Sequence, residues 1–242
     1  MRSVFFISNK NVKTESKMHL SLSINGSYEN FQVGLFDKDT LIHQTIDTKQ
    51  HTSAYLIPHI KHILDTNKTQ LTDLKYIATN NGPGPFTTIR TIAASVNGLN
   101  FALNIPLIGV NSLIALLQEY ETDEWPITVA LLNAFTQDVY IGAQISQKIT
   151  ISCKNIEVAL KEISNTISYT PIRFIGNGTA LHREAILEHF GSHAYIPEPL
   201  PLECSLIHIA YAAQRAWHHN DFCYQLTPHY LKHLSYKKLI TH

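Results

Sequence analysis

LSLSINGSYENFQVGLFDKDTLIHQTI, residues 20–46, is answered by ITVALLNAFTQDVYIGAQISQKITIS, residues 127–152. In the first stretch Leu20–Ile24, Phe31–Phe36 and Leu41–Ile46 read as three short strands separated by polar turns, the pattern of an antiparallel meander. Ile127–Leu132, Val139–Ile145 and Ile149–Ser152 repeat the phrase about 108 residues on, which sets Asn133 on Asn25, Val139 on Phe31 and Gly142 on Gly34. A helical pattern follows each meander, His51–Asp65 in the first half and Asn155–Ile167 in the second. Next come a strand and a glycine turn: Tyr76–Thr79 with Gly82-Pro83-Gly84, then Pro171–Ile175 with Gly176-Asn177-Gly178, each leading into further helix. A duplicated unit of three strands, helix, strand and helix predicts two similar α/β halves facing each other across a cleft, with both glycine turns near it.

Within the first half lies Asn80-Asn81-Gly82-Pro83-Gly84-Pro85-Phe86-Thr87-Thr88-Ile89-Arg90. It has the look of a phosphate loop without the parts. Such loops offer a row of backbone N–H groups and a Lys followed by Ser or Thr, whereas Pro83 and Pro85 have no N–H and no Lys follows. Gly82, Pro83, Gly84, Phe86, Thr87 and Arg90 are therefore read as a structural loop that launches a helix, with Pro85 near a first position where a missing donor costs nothing. Along that helix Phe86, Ile89, Ile92, Val96, Leu99 and Leu103 recur at three- and four-residue steps, the stripe of a face buried in the core. A second stripe, Thr91, Ala94, Ser95, Gly98 and Ala102, carries small side chains that let another helix approach closely. That helix could belong to this chain or to another subunit.

The chain has 242 residues, 44% of them hydrophobic, enough for one large domain or two small ones. Its 19 basic and 19 acidic residues balance, so no broad basic surface for nucleic acid is implied; the short basic run of Lys232, Lys237 and Lys238 reads as solvated. Cys153, Cys204 and Cys223 are few, odd in number and widely spaced, which fits buried thiols in a reducing cytoplasm rather than a disulfide framework or zinc knuckle. No stretch approaches a membrane span, and no membrane association is expected. Residues 1–17 are polar and aperiodic and read as an N-terminal extension, either a disordered leader or sequence upstream of a start at Met18.

The organisation resembles the actin-like (ribonuclease H-like) ATPase superfamily. Within it, NNGPGPFTTIRTIAASVNGLNFALNIPLIGVNSLIAL, residues 80–116, is similar to the G-P-G-S-F-T-G-L-R segment and following elements of the TsaB (YeaZ) family. His51-Thr52-Ser53 with Leu56-Ile57-Pro58, Asp138-Val139-Tyr140, Gly176-Asn177-Gly178 and Pro228-His229-Tyr230-Leu231-Lys232 extend the resemblance over about residues 18 to 233. The resemblance implies an α/β fold of two duplicated actin-like subdomains, each a mixed sheet with helices, placed at 18–113 and 114–242. It further implies a cytoplasmic, non-catalytic scaffold that forms a heterodimer with TsaD and is assisted by TsaE. Together these make threonylcarbamoyladenosine beside the anticodon of tRNAs that read codons starting with A, and the chain would meet tRNA indirectly, through the complex. In that family the pairing uses helices of the first half, so Tyr55, His59, Thr91, Ala94, Ser95, Gly98 and Ala102 are the expected partner interface, and the same face could form a homodimer when the chain is alone.

The chain departs from the family at both strand turns. Asp-Thr-Ser and Asp-Ala-Arg are replaced by Asn25-Gly26-Ser27 and Asn133-Ala134-Phe135. Magnesium is usually held through one or two carboxylates, and phosphoryl transfer needs a charged or metal clamp; two amides supply neither. No catalytic residue, metal ligand or cofactor is assigned to this chain, and any ATP and Mg would be held in the assembled complex through partners. Asn25, Gly26, Ser27, Asn133, Gly176, Asn177 and Gly178 could still form a weak nucleotide cleft through backbone N–H groups. The competing reading is an actin-like small-molecule kinase or ATPase with a degenerate cleft. His59 and His62, with His51 upstream, lack the H-x-x-x-H spacing and the carboxylate of a ligand set, and no G-x-S-x-G elbow is present.

Overall fold

A computed structural model describes residues 18–145, 148–167 and 170–232 of the chain; the extension expected at 1–17 and the basic pair Lys237 and Lys238 lie outside them. The first half runs β1 (Leu20–Gly26), β2 (Asn30–Asp37), β3 (Thr40–Thr48), α1 (Thr52–Thr66), β4 (Ile77–Gly82), α2 (Phe86–Leu103), β5 (Leu107–Asn111) and α3 (Ser112–Glu119). The second runs β6 (Ile127–Asn133), β7 (Asp138–Ile145), β8 (Lys148–Asn155), α4 (Ile156–Thr166), β9 (Ile172–Ile175), α5 (Asn177–Leu181), α6 (Arg183–Phe190), β10 (Ala194–Tyr195) and α7 (Leu206–His218). Each half builds one five-stranded mixed sheet, in the orders β3-β2-β1-β4-β5 and β8-β7-β6-β9-β10. The meander strands pair antiparallel and the last two strands join parallel, in both halves. The duplicated α/β architecture expected from the repeat is the one observed.

Period-2 side-chain alternation sorts β1 into two faces. Leu22 and Ile24, with Phe31 and Val33 of β2, pack under Leu56 and Ile60 of α1 and Ile92 and Val96 of α2. Val129 and Leu131 of β6 pack in the same way under Ile156, Leu160 and Ile186 of α4 and α6. The inner faces of the two sheets share a third core, in which Ala78 and Ile108 of the first sheet and Ala130 and Leu132 of the second meet Leu113 and Leu116 of α3 and Ile209 and Ala213 of α7. The covering helices are exchanged: α3, from the first half, lies on β6 and β7, while α7, from the second, lies on β1, β4 and β5. Arg173 on β9 fastens the exchange by donating from Nε to Thr128 Oγ1 at 3.2 Å and from its guanidinium to Tyr120 O at the end of α3, where a cation also complements the helix dipole.

Two sequence expectations need correction. Along α2, Ile89, Ile92 and Val96 are buried as expected, but Leu99 is half-buried and Phe86 and Leu103 are 44% and 40% exposed. Both lie at the helix ends, and Phe86 packs instead against the Tyr230 ring, 5.3 Å between centroids, beneath the Arg90 guanidinium at 5.0 Å. The repeat also slips by one residue at its first strand. Gly26 pairs with Phe31 and Asn133 with Val139, and Phe31 and Val139 both face the outer helices. Asn133 therefore corresponds to Gly26, not to Asn25. A fifth residue in the β6–β7 turn absorbs the difference, so Val139 on Phe31 and Gly142 on Gly34 remain in step.

Candidate functional site

The carboxyl ends of β1 and β4 meet those of β6 and β9 at the junction of the halves, the position where open α/β sheets bind ligands. Here the chain fills the junction with itself. Asn80 on β4 clasps Gly26, accepting from its N–H at 2.8 Å and donating to its carbonyl at 2.8 Å. Asn25, on the opposite face of β1, donates to Cys204 O at 2.9 Å. Tyr28 spans the junction: its hydroxyl donates to Asn133 O at 2.6 Å and its backbone N–H to the Glu203 carboxylate at 3.1 Å. The space left, bounded by Asn25, Gly26, Tyr28, Asn80, Ser112 and Glu203, is about 10 Å³, room for one water. Ligand pockets run to about 300–1,000 Å³.

The second glycine turn is not a loop but the start of α5. Gly176, at φ +97°, is its N-cap, and a Cβ there would stand 2.1 Å from Leu131 O, so this residue serves close packing. Its N–H donates to Pro201 O at 2.7 Å and that of Asn177 to Leu202 O at 2.8 Å. The Asn177 side chain accepts from Asn133 N at 2.9 Å, and Asn133 Oδ1 accepts from Phe135 N at 2.8 Å. Asn177 thus does for β6 what Asn80 does for β1. Gly178 also presses on Leu131, and Ser27 N–H donates to Asn30 O at 2.8 Å. The N–H donors of Gly26, Ser27, Asn133, Gly176 and Asn177 are all committed inside the chain.

Residues after α7 form a strap whose role the sequence did not announce. Cys223 pairs with Leu107 of β5 at 2.9 and 2.8 Å. Asn97 on α2 then holds Leu226 by both its backbone groups, at 2.7 and 2.9 Å. His229 N–H donates to Asn81 O at 2.7 Å. Gly82, at φ +110°, makes room for this crossing, since a Cβ there would sit 2.8 Å from His229 O. The loop at 82–85 is therefore a seat for the strap as well as a launch for α2. The strap crosses to the second half, where Lys232 binds the β6–β7 turn and Asp138 at 2.8 Å. Its local signal was Pro228-His229-Tyr230-Leu231-Lys232; Tyr28 and Glu203 carried none.

Burial sets the titration of the junction. It pushes the Glu203 carboxyl up to about 7 and raises the Tyr28 phenol and the Cys204 thiol. Burial likewise raises the Cys153 and Cys223 thiols. Since the thiolate is the reactive form, burial disfavours that form at all three cysteines.

The expected partner face lies on the outer helices. Tyr55 is 49% exposed, Ala94, Gly98 and Ala102 are exposed, and Thr91, Ser95 and His59 are half-buried. A Cβ added to Gly98 would meet nothing within 4 Å. Ser95 is engaged along its own helix, donating to Thr91 O at 2.9 Å. His59 is held from below: its Nε2 lies 3.3 Å from one Asp47 oxygen while His51 Nδ1 lies 2.8 Å from the other, and the hydrogen bond from His51 chiefly holds the Asp47 carboxyl below its usual range. His62 meets the His43 ring instead, at 5.9 Å. Among the described residues no group of three or more His, Cys, Asp or Glu could hold a metal ion, and no helix is long and apolar enough to cross a membrane.

The family model described as "TsaD: tRNA N6-adenosine threonylcarbamoyltransferase" matches residues 42–240. The chain is 34% identical over 103 residues, 42% of its length and 46% of the relative's, to the tRNA threonylcarbamoyladenosine biosynthesis protein TsaB of Buchnera aphidicola subsp. Acyrthosiphon pisum. It is 33% identical over 98 residues, 40% of its length and 42% of the relative's, to the Escherichia coli K12 protein of the same name. It thus spans about half the length of the curated relatives it matches. The solved structure of YeaZ from Pseudomonas aeruginosa superposes with a TM-score of 0.68 over 88% of this chain and all of that one, at 23% identity, which establishes the shared fold. The match over most of the chain, joined to two actin-like halves in the same order, makes this chain a member of the TsaD family of tRNA threonylcarbamoyladenosine proteins, of the TsaB (YeaZ) kind.

Proposed function

We propose that this chain is a non-catalytic scaffold and activator in the bacterial synthesis of tRNA threonylcarbamoyladenosine, pairing with TsaD and assisted by TsaE in the cytoplasm. The observation that carries the reading is the junction itself: about 10 Å³ remains between Tyr28, Asn80 and Glu203, and the N–H donors that would meet an anion are spent on the chain's own carbonyls and carboxylates. A kinase or ATPase needs a cleft that admits nucleotide, a metal and a clamp on developing charge. The names of the relatives support the pathway, and the work of this chain is then done on its surface. The division into two subdomains, with partner contacts in the first, belongs to the same proposal; the boundary expected at 113 falls inside α3 (Ser112–Glu119) and moves beyond that helix.

The docking face is the pair α1 and α2, with Tyr55, His59, Thr91, Ala94, Ser95, Gly98 and Ala102 presented to TsaD. The partner reaches tRNA, and this chain steadies the partner. Gly98→Leu tests the assignment cleanly, because its side chain enters open space in the isolated chain. Replacing a mid-helix Gly removes a penalty of about 1 kcal/mol, so Tm rises by about 2–4 °C while co-purification with TsaD is lost. Unchanged co-purification by the folded variant overturns the interface.

A further inference from the structure

The turn between β6 and β7 holds the Lys232 ammonium. Phe135, Thr136 and Gln137 take φ of 61°, 52° and 66°, three left-handed residues in succession and none a glycine. The turn is braced by Ala134 N–H donating to Asp138 O at 3.0 Å, Asp138 N–H to Phe135 O at 3.1 Å, and Ile156 N–H to Gln137 O at 2.9 Å. Four oxygens converge on one point: Ala134 O, Phe135 O, Thr136 Oγ1 and Asp138 Oδ2 lie 2.9, 3.2, 3.3 and 2.8 Å from Lys232 Nζ. The ammonium has three protons and finds four acceptors, all from this one turn.

We infer that the 134–138 turn is a binding site for a monovalent cation of ammonium or potassium size, filled in cis by Lys232, which thereby latches the C-terminal strap to the second half. Size argues against a divalent occupant. Calcium draws oxygens to about 2.3–2.6 Å and magnesium to about 2.0–2.1 Å, well inside the 2.8–3.3 Å found here. Charge agrees, since the cradle holds one carboxylate and otherwise only dipoles. The inference stands apart from the proposed function, because it concerns how the chain holds itself closed.

The test removes the resident cation and offers a free one. Lys232→Ala is melted as the full chain in sodium, potassium and ammonium chloride at equal ionic strength. The expected result is a Tm about 4 °C or more below wild type in sodium, with most of the loss recovered in ammonium or potassium, while the wild type melts alike in all three. Adding Asp138→Asn should abolish the recovery. Equal melting of the variant in all three salts overturns the inference, as does an equal response by the wild type. If Lys232→Ala does not fold in sodium, Lys232→Met keeps the packed stem; folding of either in ammonium or potassium alone supports the site, and failure of both in every salt overturns it.

Discussion

The first turns of the two halves occupy equivalent places and are held by different groups, a buried carboxyl and an ammonium. At the β1–β2 turn, Ser27 Oγ accepts from Glu29 and Asn30 N–H at 3.2 and 3.1 Å, leaving the Tyr28 N–H to face outward into the Glu203 carboxylate at 3.1 Å. At the β6–β7 turn, one residue longer and left-handed at three positions, the carbonyls of Ala134 and Phe135 face inward to the Lys232 ammonium. A turn that exposes a donor recruits an acceptor; one that exposes acceptors recruits a donor, here a cation. Both partners come from the C-terminal part of the chain, Glu203 just before α7 and Lys232 at the end of the strap, so one segment closes the junction on both sides. Duplication supplied the scaffold, and the backbone of each turn decided which partner each copy now takes.

That contrast can be broken at several strengths. The harshest break is Gly176→Ala, which puts a methyl 2.1 Å from Leu131 O at φ +97°. It should cost about 4 kcal/mol or more, the exceptional range for one substitution, seen as a collapse of the denaturant midpoint; a shift under about 1 kcal/mol would mean that the second half does not depend on this close approach. Next comes Tyr28→Phe, which deletes the hydroxyl bond to Asn133 O at 2.6 Å and should lower stability by about 1 kcal/mol. If it does not, the two turns are not tied through Tyr28.

The gentlest probe is pH. Burial raises the Glu203 pKa to about 7 in the folded chain, against 4.5 for a carboxyl in water, so between these values the folded state binds the extra proton. The contribution of Glu203 is then full at low pH and is lost as pH rises through about 7. Glu203→Gln keeps an acceptor for Tyr28 N–H and removes the titration. Its stability relative to wild type should grow from pH 4.5 to 7.5, read by chemical denaturation at each pH. A constant difference would place Glu203 in water rather than in the junction.

Much of the fold was legible because local pattern records burial. The meanders at 20–46 and 127–152 are short apolar runs broken by polar turns, and the helix after Pro85 shows its buried stripe at Ile89, Ile92 and Val96. The exposed small-residue face with Gly98 was legible for the same reason. Periodicity does not say what covers a face, so the exchange of α3 and α7 between sheets went unseen. The one-residue slip that sets Asn133 on Gly26 was hidden too, since a slip of register is paid for in a turn, and turn length was not constrained by the pattern. Glu203 and Tyr28 are 175 residues apart, and no local signal links an exposed-looking acid to one backbone N–H.

The sequence by itself determined the elements, their duplication, the stiff loop at 82–85 and the neutral amides at Asn25 and Asn133, because each is a property of neighbours along the chain. Only the tertiary structure decided that Asn25 and Asn133 face different ways, that the junction is filled by Tyr28, and that Lys232 ends among two carbonyls, a hydroxyl and a carboxylate. The physical reason is one of range: propensity and pattern act over a few residues, whereas a buried polar group must find its partner wherever the fold brings one.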